Sequence, residues 1–228
     1  MQRFFDILFS FLALLLFSPI FLSVIIILRF TGEGEIFFIQ GRVGKEGLNF
    51  GLFKFVTMLK DSPNIGTGTI TMKGDPRILP VGSILRKTKI NELPQLLNIF
   101  FGDMSVIGPR PLTSESFNSY QQNTQKTIQK VRPGLSGIGS IIFRDEENIL
   151  SGENRGVDFY SNVIAPYKGC LEEWYIDNQN IYIYFLAIFI TILIVIFPTS
   201  QMPWFVFKAL PEPPDSLKID LNYPENNY

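Results

Sequence analysis

The chain is predicted to be a membrane-associated α/β protein: an N-terminal membrane helix broken at Ser18-Pro19 and re-entrant, followed by a small α+β domain with interface-lying helices. Three observations predict this class. Phe4 to Phe30 is almost wholly apolar between Arg3 and Arg29. Hydrophobic residues make up 46% of the 228 residues, and the mean hydropathy of +0.19 is high for a soluble chain. Between residues 32 and 180, short Ile- and Phe-rich runs of strand character alternate with apolar residues at helical spacing. The predicted divisions are 1–31 (membrane helix), 32–180 (globular domain), 181–197 (hydrophobic helix) and 198–228 (Pro-rich tail).

Composition narrows the chemistry. Twenty basic against 21 acidic residues leave a net charge of −1, so no overall basic signal points to nucleic acid. A single cysteine, Cys170, excludes an internal disulfide and fits a reducing compartment. The chain has no histidine, which removes Ser-His-Asp catalysis and histidine-ligated zinc together. Catalytic groups must then come mainly from Asp, Glu, Lys, Tyr or backbone, and a hard, oxygen-ligated cation such as Mg²⁺ is the natural metal.

The N-terminal stretch is long enough for a simple span, since about 20 apolar residues cross a bilayer. Pro19 in its middle deletes a hydrogen bond and bends a helix, so a hairpin could return both cationic ends to one membrane face, and the family resemblance given below makes it the preferred reading. Its length and the lack of a small-residue cleavage site argue against a signal peptide. Glu35 to Gln40 and Phe50 to Met58 read as strands of a hairpin closed by a basic, Gly-punctuated turn. Asp61 to Asp75 is rich in Gly, Thr, Ser and Pro and reads as a surface loop; Gly66, Gly68 and Gly74 make no nucleotide-binding fingerprint. Thr113 to Lys130 reads as a surface helix burying Phe117, Tyr120, Ile128 and Val131, and Ile138 to Phe143 as a strand. The acids of Arg144 to Glu147 read as solvated. Asp158 to Asn180 mixes aromatics with charges and suits an interface-lying helix. Ile181 to Phe197 carries no charge and just reaches a span, with an interfacial or buried helix equally open. Five later prolines make the remainder an extended tail.

Leu85 to Leu112 is the chemically dense stretch. Pro94 fits a helix only in its first turn, which predicts a helix start capped by Asn91 and a buried face of Leu93, Leu96, Leu97 and Phe100. Glu92 then lies by the positive helix end, with Arg86, Lys87 and Lys89 before it and Arg110 after a Gly-Asp turn. Such a cluster suits phosphate chemistry; a capped helix with a solvated basic flank is the plainer alternative.

Glu92-Leu93-Pro94-Gln95-Leu96, Asn98, Gly102-Asp103-Met104-Ser105 and Gly108 to Leu112 together resemble the core of the bacterial sugar transferase family, the monotopic phosphoglycosyl transferases. Ser18-Pro19, Gln40, Arg42, Gly44, Lys54, Phe55, Met58, Asp75-Pro76-Arg77, and Arg132-Pro133-Gly134 with Ser136-Gly137 extend the resemblance. It implies transfer of a sugar 1-phosphate from a UDP-sugar to polyprenyl (undecaprenyl) phosphate. This would initiate a lipid-linked glycan for exopolysaccharide, capsule, O-antigen or glycoprotein, at the cytoplasmic face of the bacterial inner membrane. Downstream glycosyltransferases are implied partners. Asn91 and Glu92 are the implied catalytic and Mg²⁺-binding pair. Lys54, Arg77, Arg86, Arg110 and Arg132 are candidate substrate contacts. For Lys54 an ordinary strand lysine, and for Arg77 a turn-stabilising arginine, are equally open.

Two positions depart from the family: Asn91 replaces its nucleophilic Asp, and Tyr184 stands where another functional Asp is usual. Three routes survive: direct attack by the lipid phosphate, Glu92 as the nucleophile, or a binding-competent pseudoenzyme acting as a membrane scaffold. A lipid-phosphate hydrolase is a weaker alternative.

Overall fold

The computed structural model describes residues 1–62, 75–150, 155 and 157–224. The Gly-rich loop with Gly66, Gly68 and Gly74 lies outside the described residues. The chain divides into two compact units, one of Phe5–Gly41 with Gly51–Gly102, the other of Met1–Phe4, Arg42–Phe50 and Asp103–Tyr228.

The N-terminal apolar stretch forms one helix, α1 (Gln2–Phe30), with Pro19 inside it. The Ser18 hydroxyl donates to the Leu15 carbonyl and the Ser23 hydroxyl to that of Pro19. These bonds satisfy backbone around the proline, where a helical hydrogen bond is lost. Strands β1 (Phe37–Val43) and β2 (Asn49–Phe55) pair through a 3₁₀ turn at Lys45–Gly47, as the hairpin reading expects.

In the first unit, Val24 and Leu28 of α1 pack with Phe55 and with Leu85 of α2 (Pro80–Lys87), and Phe21, Ile36, Ile90 and Leu93 surround them. Phe55 takes Phe21 at 4.9 Å and Phe37 at 5.6 Å between ring centroids. Burial of such side chains supplies the main favourable term, about 1.5–3 kcal/mol each. Pro80 opens α2, where a missing N–H costs nothing. Lys89, at φ 60°, then turns the chain into a 3₁₀ turn at Ile90–Glu92. The next helix, α3, runs Gln95–Phe101 with Pro94 before it and Gly102, at φ 106°, ending it.

Two expectations need correction here. Asn91 caps nothing: it lies in the 3₁₀ turn, and α3 begins four residues later. With seven residues, α3 is too short for its dipole to carry the anion-site argument. The buried face is also rotated, to Gln95, Leu96, Asn98 and Ile99, while Phe100 is exposed. Asn98 explains the rotation. Its Oδ1 accepts the Phe53 N–H at 2.9 Å and its amide donates to the Gly51 carbonyl at 2.8 Å, so α3 must turn this side chain onto β2. Phe100 is left beside Phe11 of α1, with ring centroids 6.4 Å apart.

The second unit is built around a parallel pair, β3 (Ser105–Ile107) and β4 (Gly134–Ser136). Between them lie α4 (Ser114–Asn118), capped by Thr113, and α5 (Gln122–Ile128). The single surface helix expected over Thr113 to Lys130 is thus two; Phe117, Tyr120 and Ile128 are buried as expected, while Val131 is half-buried. Ile138 to Phe143 is not a strand: Ile138–Ile142 forms α6. The isoleucines favour strand locally, but Ile138, Ile141 and Ile142 are all buried, which tertiary packing decides. After α7 (Glu146–Leu150) and α8 (Val157–Phe159), a π-helical turn at Tyr160–Ile164 leads into α9 (Ala165–Asn178). The stretch read as interface-lying is a core helix here, burying Tyr167, Lys168, Leu171, Glu172 and Tyr175.

The hydrophobic helix α10 (Ile181–Ile196) has 16 residues. It turns Tyr184, Ala187, Ile190 and Ile194 inward and leaves Tyr182, Phe185, Phe189 and Ile192 exposed. Thr191 meets Ser136 of β4 at 2.8 Å. The Pro-rich stretch that follows does not run extended. It forms α11 (Met202–Val206) and α12 (Asp215–Lys218), buries Phe207 and Leu217 completely, and ties Tyr167 Oη to the Pro211 carbonyl at 2.7 Å. Phe207 also meets Trp174 edge-on at 5.8 Å.

Candidate active site

The Gly-Pro-Arg-Pro segment after β3 is held at successive backbone groups. Gly108 N donates to Ser136 O at 2.9 Å, and Gly134 N to Pro109 O at 2.8 Å. Arg42 Nη1 donates to Pro111 O at 3.1 Å. Val43 N donates to Leu112 O at 3.0 Å. Ile107 O accepts from Tyr175 Oη and from Gln2 Nε2, each at 3.2 Å. Arg110 N donates to Glu172 Oε1 at 3.4 Å. Gly108 permits this density, because a Cβ there would stand 2.5 Å from Arg132 O. The turn is therefore stiff from two prolines and from its bonding, and it carries an exposed Arg110. A cleft beside it is lined by Val43, Gly44, Phe117, Ile128 and Gln129. A guanidinium fork carried at the surface on a stiff backbone suits a phosphate or carboxylate.

Glu172 stands behind this turn. It is 2% exposed, and its Oε2 has no hydrogen-bond partner among the described residues. Burial pushes its carboxyl up to about 7, against the opposing pull of Lys168 and Arg110. Lys168, one turn earlier and equally buried, is engaged by both oxygens of Glu146 at 2.9 Å. Glu146 is thus not one of the solvated acids the sequence suggests. Burial also raises the Tyr120 and Tyr160 phenols.

The other unit holds Lys54, Arg77, Arg86, Asn91 and Glu92. Arg86 lies in the last turn of α2, which packs on the 3₁₀ turn bearing Asn91 and Glu92. Asn91 is 9% exposed, and its Oδ1 has no hydrogen-bond partner among the described residues. Glu92 and Lys54 are half-buried. Arg77 is turned inward: Nε and Nη2 grip Asp75 at 2.8 and 2.6 Å, Nη1 donates to Ser62 O at 2.7 Å, and both side chains are 3% exposed. That geometry is the turn-stabilising alternative, with the guanidinium fork spent on Asp75. Arg132 is half-buried, before β4 in the unit that carries Arg110.

Sequence reasoning gave no role to Glu172, Tyr175 or Lys168. Arg42 had been noted only for its place in a motif. The available signal was weak, a Glu and a Tyr three apart on a helix. Nothing local marks them as partners of residues more than 60 positions away.

The apolar N-terminal helix and the Pro-Arg-Pro turn are features that the resemblance to the sugar transferases leads one to expect. Residues 1–198 match the family model described as bacterial sugar transferase, and the chain belongs to that family. Among its relatives, the exopolysaccharide production protein ExoY of Rhizobium meliloti is 36% identical over 159 residues, covering 64% of this chain and 70% of the relative. The UDP-glucose:undecaprenyl-phosphate glucose-1-phosphate transferase of Escherichia coli is 32% identical over 187 residues, covering 81% of this chain and 38% of the relative. The UDP-N-acetylgalactosamine-undecaprenyl-phosphate N-acetylgalactosaminephosphotransferase of Aeromonas hydrophila is 36% identical over 143 residues, covering 62% and 34%.

Proposed function

We propose that the chain transfers a sugar 1-phosphate from a UDP-sugar to polyprenyl phosphate, the first step of a lipid-linked glycan such as an exopolysaccharide. The observation that carries this reading is the exposed Arg110 on a turn whose backbone is bonded on every side. A planar guanidinium carried on a backbone fixed in advance loses less entropy on gripping a phosphate. The names of the relatives supply the substrate class.

An oxygen of the lipid phosphate attacks the β-phosphorus of the UDP-sugar. The new P–O bond forms as the bond to the bridging oxygen breaks, and UMP leaves with that electron pair. The acceptor is already an anion and needs no general base. The demands on the protein are in-line placement and charge neutralisation; Arg110 and Arg132 are the candidates for this in their unit, and Arg86 and Lys54 are the candidates in theirs. Asn91 and Glu92 fit Mg²⁺: the orphaned, buried Asn91 Oδ1 is a hard neutral donor beside a carboxylate. No cluster of three or more His, Cys, Asp or Glu is available among the described residues, and Mg²⁺ commonly relies on one or two protein oxygens plus substrate phosphates. When bound, it would neutralise charge on the diphosphate.

Entry from the cytoplasmic face is part of this reading, and the pattern of burial along α1 supports its re-entrant form. Asp6, Ser10, Val24 and Leu28 are buried, no residue from Phe11 to Ser23 is, and within one unit both Phe11 and Phe21 meet aromatic side chains outside the helix. A helix that crossed the bilayer would carry one of its halves away from such contacts. The outward apolar stripe of α10 supports lipid contact there as well.

A panel of UDP-sugars incubated with membranes, with and without polyprenyl phosphate, tests the function. UMP release that requires the lipid is expected. Release without it would indicate a hydrolase, and no release the pseudoenzyme scaffold that Asn91 makes the second reading. Asn91→Asp sharpens the test: activity gained only in that variant would mean the wild type is the scaffold. A phosphosugar adduct on Glu92 of the wild type would replace direct displacement by a covalent route. Cysteines placed before Phe4 and after Phe30 are both expected to label from the cytoplasmic side only.

A further inference from the structure

α9 presents two side chains to the Gly-Pro-Arg-Pro segment, three residues apart and so on one helix face. Tyr175 Oη reaches Ile107 O, and Glu172 Oε1 accepts the Arg110 N–H. The opposite wall is backbone. A Cβ on Gly139 would stand 2.4 Å from Glu172 Oε1, so α6 closes directly onto the carboxyl. A fully buried acid with one oxygen unpartnered is an expensive side chain to keep, and nothing in the transfer chemistry above uses it.

We propose that Glu172 is the positioning residue of the Pro109-Arg110-Pro111 turn, its ionised carboxylate holding the Arg110 backbone from behind so that the guanidinium is aimed at a substrate phosphate. The proposal rests on the transferase reading. The ionised form makes a charge-assisted bond to the Arg110 N–H, about twice as strong as a neutral one. The protonated form makes only a weaker, neutral bond across the same contact, 3.4 Å in the structure. Several groups face the carboxyl or its cluster: Lys168 on α9, Arg110 on the turn, Tyr120 between α4 and α5, Glu146 on α7 through Lys168, and Tyr160 on the π-helical turn. Lys168 is committed to Glu146, so Glu172 keeps its own proton equilibrium near neutrality.

The test compares wild type with Glu172→Gln in membranes, at saturating polyprenyl phosphate, from pH 6 to pH 8. The wild-type KM for UDP-sugar is expected to fall about fivefold as the pH rises through this window, with kcat little changed. Glu172→Gln is expected to stay flat at the high value. The lipid phosphate also titrates near pH 6, but identically in both proteins, so the difference between them isolates Glu172. A variant with the wild-type pH profile, or a wild-type KM that rises with pH, overturns the proposal. Hydrogen–deuterium exchange supplies a readout independent of activity. At pH 8 the peptide covering residues 107–112 is expected to exchange faster in Glu172→Gln than in wild type, and equal exchange overturns the proposal. If wild type turns over no UDP-sugar, the transferase reading fails, and the exchange difference still decides whether Glu172 positions the turn.

Discussion

Glu172→Gln also makes a prediction about stability, with a sign opposite to its effect on KM. Burial raises the Glu172 carboxyl from 4.5 to about 7. An acid whose folded-state value lies above its unfolded value binds more protons when folded. Its folded form is therefore favoured at low pH, and stability is lost as pH rises from about 4.5 through about 7. At 1.36 kcal/mol per unit, the ionised side chain costs about 3 kcal/mol at pH 8 relative to its neutral form. Gln has nearly the same shape and no charge to desolvate. In nanodiscs, thermal unfolding of the two proteins should coincide near pH 4.5, and the variant should melt higher at pH 8. At about 2–4 °C per kcal/mol for a chain of this size, the gain is about 6–12 °C. A variant that is more stable yet binds UDP-sugar more weakly at pH 8 is the signature of a buried charge kept for function rather than for folding. A variant less stable than wild type by the same margin at both pH values would refute the reasoning, since it would mean that the ionised carboxylate is well partnered.

Two further outcomes are expected. Phe207→Ala empties a fully buried aromatic site against Trp174 and should cost about 3–5 kcal/mol in denaturant unfolding; a loss below about 1 kcal/mol would show that the C-terminal stretch is not part of the fold. Arg77→Gln strands Asp75 without its bidentate partner, so the melting midpoint should fall while the KM for UDP-sugar stays within about twofold; an unchanged midpoint with a KM raised tenfold would return Arg77 to the substrate site.

The family, the apolar helix and the hairpin were legible in the sequence because each is written in neighbouring residues. The order of motifs from Glu92 to Leu112 and the absence of histidine are local facts that survive any packing, whereas the expected break at Ser18-Pro19 is not one, since α1 runs through it. The same locality limits them. Asn91 is an excellent cap by type, yet the turn at Lys89 and the demand that Asn98 face β2 start the helix at Gln95. The isoleucines after Gly137 prefer strand by type, but Ile138, Ile141 and Ile142 lie at helical spacing and are buried together along α6. Five prolines after Pro198 predict an extended chain, and Phe207 and Leu217 found buried places that fold it back. Arg77 and Arg110 are both candidate substrate contacts by sequence, each beside a proline in a family motif. One is buried in Asp75's grip and the other stands exposed on a bonded turn. Which arginine is available to substrate depends on what lies across from it. For Arg110 that neighbour is a glutamate 62 residues further along the chain, brought there by the packing of α9, which no window of local sequence contains.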